Sequence, residues 1–279
     1  MTMTFSLQEN FGFDKMAGQF ETSRFSRRKN KAKKTDLHIF AEKIRVPEFG
    51  KTISLPRLNE LLAKSSNQFG ATLIAGRAGT GKTALAADFA RQYKKVAWYS
   101  IESGDCDWSV FSTYMTTSLL GKDFDPDKFS VNLSPDNESR QRAISKYLTN
   151  IFAEIGEWHQ EYPTLIVLDD LHHIFDCEWF YDFFNLLLYS LLPNTHLLLL
   201  CRTKPALPLW RLRSKQVLNV IDEKLLALNF DETQELYENF GLSKENAQKA
   251  YRESFGRVSK LMYFVNSIPA EDFNRLSES

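Results

Sequence analysis

Residues 71–83 read ATLIAGRAGTGKT, an unbroken apolar run followed at once by a glycine-rich loop and a Lys-Thr pair. ATLIA is short and apolar or small throughout, which predicts a strand buried on both faces. GRAGTGKT at 76–83 matches GxxxxGK(S/T), the loop that carries a chain from the end of such a strand into a helix. No other feature restricts the fold as strongly. A strand that feeds a helix at its carboxyl end belongs to a parallel sheet with helices packed over it.

Each residue type in the loop has a physical task. Glycines let the backbone wrap closely, so that N–H groups along Gly76, Arg77, Ala78, Gly79, Thr80, Gly81, Lys82, Thr83 and Ala84 face a bound phosphate. The first turn of the following helix, expected over Thr83 to about Tyr93, adds partial positive charge. Lys82 is placed to reach the β- and γ-phosphates of a nucleotide, and the Thr83 hydroxyl to ligate Mg²⁺.

Further apolar runs repeat the theme. VAWYSI at 96–101, TLIVL at 164–168 and HLLLLC at 196–201 predict buried strands, with helical spacing between them at Trp108, Phe111, Met115 and Leu119 and again from Ile144 to Ile155. The expected fold is α/β, a parallel sheet covered by helices on both faces. After VLNVI at 217–221 the pattern turns wholly helical. Asp231 with Gln234 three residues on resembles a capping box, Gly241 and Ser243 break and restart the helix, and a third helix begins near Gly256. The expected division is an arm over 1–40, a nucleotide-binding domain over 41–222 and a small helical subdomain over 223–279.

Ligands of a parallel sheet gather beyond the carboxyl ends of its strands. TLIVLDD puts Asp169 and Asp170 there, Asp169 to hold Mg²⁺ and Asp170 to polarise an attacking water as general base. Glu102, at the end of the second strand, is a competing acid whose plainer reading is a helix-start or loop carboxylate. Arg202 follows HLLLLC and can report on a γ-phosphate; Arg211 and Arg213 are further cationic candidates. His172 and His173 lack cysteine or acid companions at zinc spacing, so one is expected to pack on the next helix and the other to orient the loop. The aromatics from Trp179 to Phe184 read most simply as core or a protein contact face.

Charge sets bounds on partners. Lys plus Arg and Asp plus Glu are 35 each, so no global field draws the chain to nucleic acid or an anionic membrane. A basic run, RFSRRKNKAKK at 24–34, makes the arm either a solvated linker or a contact for nucleic acid or an acidic partner. Polar residues interrupt the most apolar stretch, Phe183 to Cys201, which argues against a membrane span, and no apolar run opens the sequence. The three cysteines, Cys106, Cys177 and Cys201, are scattered, which reads as a reducing, cytoplasmic setting without a disulfide frame.

Taken together, GRAGTGKT, VAWYSIESGDCDWSVFSTYM, LIVLDDLHHI, LLLLCRTKPALPLWRLRSKQVLNVI, LALNFDETQELY and GRVSKLMYF resemble the nucleotide-binding module of the STAND class of signalling NTPases. The match is to the large ATP-binding LuxR-type regulators typified by the maltose-regulon activator, over about 43–266. RVPEFGKTISLPRLNELL resembles the entry segment that packs near adenine in that family, whereas Arg257 stands where its members often carry tryptophan. The resemblance implies an AAA+-like fold, ATP over GTP (no guanine-reading NKxD is present), and a slow ATPase switch that ADP keeps closed and ATP opens toward self-association. Lys82 and Thr83 take the phosphate-loop roles in it, Asp169 and Asp170 the acidic pair, and Arg202 the sensor. Family regulators continue into sensor and DNA-binding domains, whereas this sequence stops at Ser279; either a partner protein supplies them or the module works alone, and the leading expectation is a switch that regulates a partner such as a transcription factor. The competing expectation is a DNA-associated ATPase of helicase-loader or transposition-helper type that uses the basic arm. A third, in which GLSKENAQKAY forms a DNA-reading helix-turn-helix, conflicts with the acids of the helix before it.

Overall fold

The structure, a computed structural model, describes residues 39–49, 55–121, 124–158 and 162–267. The basic run at 24–34 and part of the entry segment lie outside the described residues. In chain order the elements are α1 (Pro56–Gln68), β1 (Ala71–Ala75), α2 (Lys82–Ala90), β2 (Lys95–Ser100), α3 (Trp108–Leu120), α4 (Pro126–Phe129), α5 (Asn137–Trp158), β3 (Thr164–Asp169), α6 (Phe180–Ser190), β4 (Thr195–Cys201), α7 (Leu209–Ser214) and β5 (Leu218–Asp222). Then come α8 (Glu223–Leu226), α9 (Phe230–Asn239), α10 (Lys244–Ser254) and α11 (Val258–Ser267). Short 3-10 turns occupy Ala41–Ile44, Ser103–Cys106 and Leu171–Ile174.

The strands form one sheet in the order β2-β3-β4-β1-β5, every neighbouring pair parallel. Alternation along each strand splits the core between the two faces. Leu73, Tyr99, Ile166, Leu168, Leu197 and Leu199 face a core shared with α3, α5 and α6. Ile74, Trp98, Val167, Leu198, Leu200 and Ile221 face one shared with α1 and α2. Trp179, Phe180, Phe183 and Phe184 are buried in the first core, while Tyr181 is 42% exposed.

The order places β1 between β4 and β5, so the loop after β1 stands mid-sheet, beside the ends of β4 and β5 and one strand from β3. The parallel sheet and its two helical layers are as the sequence predicts.

Beyond β5, α9, α10 and α11 pack around their own small core of Leu228, Leu236, Tyr237, Leu242, Ala250 and Leu261. The cap of α9 lies two residues earlier than expected. Asn229 receives the Glu232 N–H at 2.8 Å, and the Glu232 carboxylate receives the Asn229 N–H at 2.8 Å. The reciprocal bonds form there because Glu232 is also clamped by Arg57 of α1, whose guanidinium donates to both its oxygens at 2.9 and 3.0 Å. The same guanidinium donates to the carbonyls of Leu225 and Ala227, so one side chain ties α1 to the connection leading into the helical tail.

Gly256, between α10 and α11, has φ +77, and a Cβ there would meet the Leu228 carbonyl oxygen at 1.9 Å. The Leu228 N–H donates to the Gly256 carbonyl at 2.9 Å across the same approach. Gly256→Ala is therefore expected to cost at least about 2 kcal/mol, from positive φ and lost close contact together, read as a lower midpoint in urea unfolding.

The cysteines do not all stay free thiols, contrary to what their scattered spacing predicts. Cys106 and Cys177 are joined in a disulfide across 71 residues of sequence, leaving Cys201 as a buried free thiol. Spacing along the chain could not show this, because the pairing arises where the loops following β2 and β3 meet at the carboxyl edge of the sheet.

The opposite edge carries a buried polar chain. Asn219 donates to Ser65 at 2.9 Å, Ser65 and Thr72 share a hydrogen bond of 2.6 Å, and Thr72 lies 3.0 Å from His196 Nε2. His196 Nδ1 lies 3.1 Å from the Phe69 carbonyl, so the neutral ring donates there and accepts from Thr72. Burial lowers the His196 pKa from 6.5 to about 4. Above pH 6.5 the ring is neutral folded or unfolded; below it the unfolded chain binds a proton that the folded chain refuses. Stability should thus fall by ~3 kcal/mol between about pH 6.5 and pH 4. His196→Gln, measured by urea unfolding against pH, should flatten that slope.

Candidate nucleotide site

The loop from Gly76 to Thr83 crosses the carboxyl end of β1 into α2. Gly79 and Gly81 take φ of +73 and +85, in the left-handed region that favours glycine. Thr80 braces the loop by donating its hydroxyl to the Arg77 carbonyl at 2.9 Å. Lys82 is only 6% exposed, and its ammonium donates to the carbonyls of Gly76 at 2.6 Å and Arg77 at 3.1 Å. Burial lowers its pKa, opposed by the nearby charges of Asp170 and Asp169.

Asp169 ends β3 and is 4% exposed. Burial, reinforced by the charge of Asp170, raises its pKa to about 6, while a hydrogen bond from Thr83 and the charge of Lys82 pull the other way. A buried carboxylate facing a threonine hydroxyl is a hard-oxygen donor pair of the kind Mg²⁺ takes. Asp170 adopts φ 53, a left-handed conformation that aspartate tolerates better than most residues. Its carboxylate lies 4.0 Å from Arg202 Nε and 3.7 Å from His172 Nδ1. That His172 nitrogen is buried without a hydrogen-bond partner, and the ring packs against His173 with centroids 4.3 Å apart. The structure thus gathers Lys82, Thr83, Asp169, Asp170 and Arg202 at one carboxyl edge, with His172 beside them.

Other sequence candidates fall elsewhere. Glu102 caps the 3-10 turn at Ser103–Cys106 and lies 3.4 Å from Lys43, in keeping with its plainer reading as a loop carboxylate. Arg211 and Arg213 are exposed on α7, Arg211 against the ring of Trp210.

Several groups at the loop carry no sequence signal of their own. Glu223, the first residue after β5, accepts the Arg77 backbone N–H at 3.1 Å and its guanidinium at 2.8 Å. Those bonds from Arg77 hold the Glu223 pKa down at about 2. From the other side, the Ser259 N–H at the start of α11 donates to the Gly79 carbonyl at 2.9 Å, and Arg257 donates to the Ala78 carbonyl at 3.1 Å. A Cβ on Gly79 would strike Ser259 at 2.5 Å, so helical tail and loop are in direct van der Waals contact. Between them lies a cavity of about 770 Å³ lined by six cations, Arg77, Arg202, Lys204, Lys224, Arg257 and Lys260, against the acids Asp222 and Glu223. A cation-rich cavity opening on a phosphate loop suits a polyanionic ligand.

Sheet order, loop and acids define a P-loop NTPase of the α/β class. The family described as AAA ATPase domain matches residues 49–200, more than half of the chain, and the chain belongs to that family. Among solved structures it is similar to a Signal Transduction ATPase with Numerous Domains (STAND) protein with a tetratricopeptide repeat sensor from Pyrococcus horikoshii, at 21% identity and a TM-score of 0.54. That likeness covers 83% of this chain and 32% of the other, so the chain spans about a third of the STAND protein's length. A Walker-type ATPase of Pyrococcus abyssi aligns at 14% identity and a TM-score of 0.48, over 79% of this chain and 69% of that one. No helix among the described residues is long and apolar enough to cross a membrane.

Proposed function

We propose that the chain is an ATP/ADP-dependent conformational switch that hydrolyses ATP slowly with Mg²⁺ and regulates a protein partner in transcription-related signalling. The observation that carries this reading is the contact of α11 with the phosphate loop, Ser259 N–H on Gly79 and Arg257 on Ala78. A loop that reshapes around different phosphate tails must then move the helical tail or break those bonds.

The nucleotide supplies the phosphoanhydride whose γ-phosphoryl group is lost to water. The chain's own groups do the rest. Backbone N–H groups of 76–84 and the Lys82 ammonium hold the phosphates; Thr83 and Asp169 hold the metal ion. Asp170, partly exposed and within 4.0 Å of Arg202, orients and deprotonates the attacking water. Arg202 senses the γ-phosphate. In this reading the hinge lies at the proposed 222–223 division, next to the Arg77–Glu223 bond and the Arg57 bond to the Leu225 carbonyl. The resemblance to LuxR-type regulators supports a protein partner, and nucleotide-dependent self-association belongs to the same reading.

The test is hydrogen exchange over 254–267 with ADP and with a non-hydrolysable ATP analogue. Different protection of α11 in the two states is expected. Identical protection, with both nucleotides bound, would remove the switch and leave a plain nucleotide binder.

A further inference from the structure

The disulfide sits where it can act on the acids. The Asp170 carbonyl accepts from His173 at 3.1 Å, that of His172 from Phe175 at 3.5 Å, that of Ile174 from Cys177 at 3.1 Å, and that of Cys177 from Phe180 at 2.9 Å. This unbroken run of turns carries Asp170 and His172 into α6, with Cys177 at its middle. Across the bond, Cys106 closes the 3-10 turn after β2, and that turn is fixed in its own right. Buried Asp105 receives the Lys43 ammonium at 2.7 Å and the Glu102 N–H at 2.8 Å. The disulfide therefore fastens the segment behind the acids to a rigid point. The two cysteines also differ in access: Cys106 is exposed, whereas Cys177 is 4% exposed.

We propose that Cys106–Cys177 is a reversible thiol–disulfide exchange site whose redox state sets the rate of nucleotide hydrolysis by controlling the position of Asp170 and His172. The reactant is a dithiol, small or protein-borne. One thiolate attacks the sulfur of Cys106, the more exposed residue of the two, and the S–S bond breaks with its electron pair leaving on Cys177 sulfur, which takes a proton. The reductant's second thiol then displaces Cys106 from the mixed disulfide, closing the reductant's own disulfide. Cys106 leaves as a thiolate and takes the second proton. Two electrons and two protons reach the protein for each dithiol oxidised.

Reduction does not free the segment entirely. Trp179 still donates its indole N–H to the Cys106 carbonyl at 2.9 Å, and its ring stays packed edge-on against Trp108 and Phe183 and tilted against Phe111. What is lost is the covalent limit on how far the acids shift. Among the described residues, the phosphate loop is bonded to Glu223 and α11, and no bond joins it to the tether. Hydrolysis should respond while nucleotide affinity does not.

The proposal rests on the nucleotide site described above, and the experiment separates the two. Full-length protein is purified without reductant, one portion is treated with dithiothreitol, and part of that is reoxidised with diamide. Each is assayed for alkylatable cysteines after denaturation, ADP affinity and kcat for ATP. In the oxidised form only Cys201 should alkylate, and in the reduced form all three cysteines. On reduction kcat should fall roughly tenfold or more, the scale expected for a displaced catalytic group, with ADP affinity unchanged. Diamide should restore it. Cys106→Ser, confirmed as folded by its melting curve, should show the reduced-form kcat and ignore both reagents. Equal kcat in oxidised and reduced protein of proven thiol content would overturn the redox claim while leaving the nucleotide site standing. So would three alkylatable cysteines after diamide. Absence of ADP binding in every redox state would overturn the nucleotide reading, and the redox claim with it.

Discussion

Lys82→Ala is expected to weaken ADP and ATP binding by roughly a hundredfold or more, since hydrogen bonds to charged groups contribute about 1.5–3 kcal/mol each. The lost bonds are only part of the effect. The Lys82 charge also holds down the pKa of Asp169, which burial and Asp170 already raise to about 6. Without the ammonium, the Asp169 pKa rises further, so Mg²⁺ must displace a more tightly held proton as the phosphates lose their cation. The variant should therefore bind nucleotide weakly, with a reduced Mg²⁺ dependence of what remains. A fluorescent ADP titration with and without Mg²⁺ reads both effects. Wild-type affinity in Lys82→Ala would contradict the site.

Asp170→Asn should separate binding from turnover. Asparagine keeps size and shape but accepts no proton, and removal of a general base costs about 10²–10⁴ in rate. The phosphate loop is untouched, so ADP affinity should hold, or rise slightly as one negative charge leaves the neighbourhood. Steady-state phosphate release paired with the same titration tests this. Full activity in Asp170→Asn would move the base role elsewhere, with His172, 3.7 Å from that carboxylate, the first candidate.

These two residues show what a sequence discloses. ATLIA, TLIVL and HLLLLC could be read as buried strands because a strand covered on both faces needs apolar residues at every position. GRAGTGKT could be read because the chemistry of a phosphate cradle is local: glycines, lysine and threonine act within eight residues of chain. Asp169, Asp170 and Arg202 were legible at one remove, since the end of a strand is a place that sequence can mark.

Contacts made at long range were not legible. Glu223 reaches Arg77 across 146 positions and Arg257 reaches Ala78 across 179; nothing in either partner's neighbourhood announces the other. Cys106 and Cys177 looked scattered for the same reason, although the sheet order brings their loops together. The α9 cap shifted from Asp231 to Asn229 because the Arg57 clamp, invisible locally, fixes Glu232 as the third residue of the helix.

The most direct measurement on the central claim is to denature the purified protein and identify what it releases. The expected result is ADP in near-stoichiometric amount from the wild type and none from Lys82→Ala, as a closed switch retaining its product requires. No nucleotide from either protein would contradict a tightly held ADP state and leave a freely exchanging ATPase in its place.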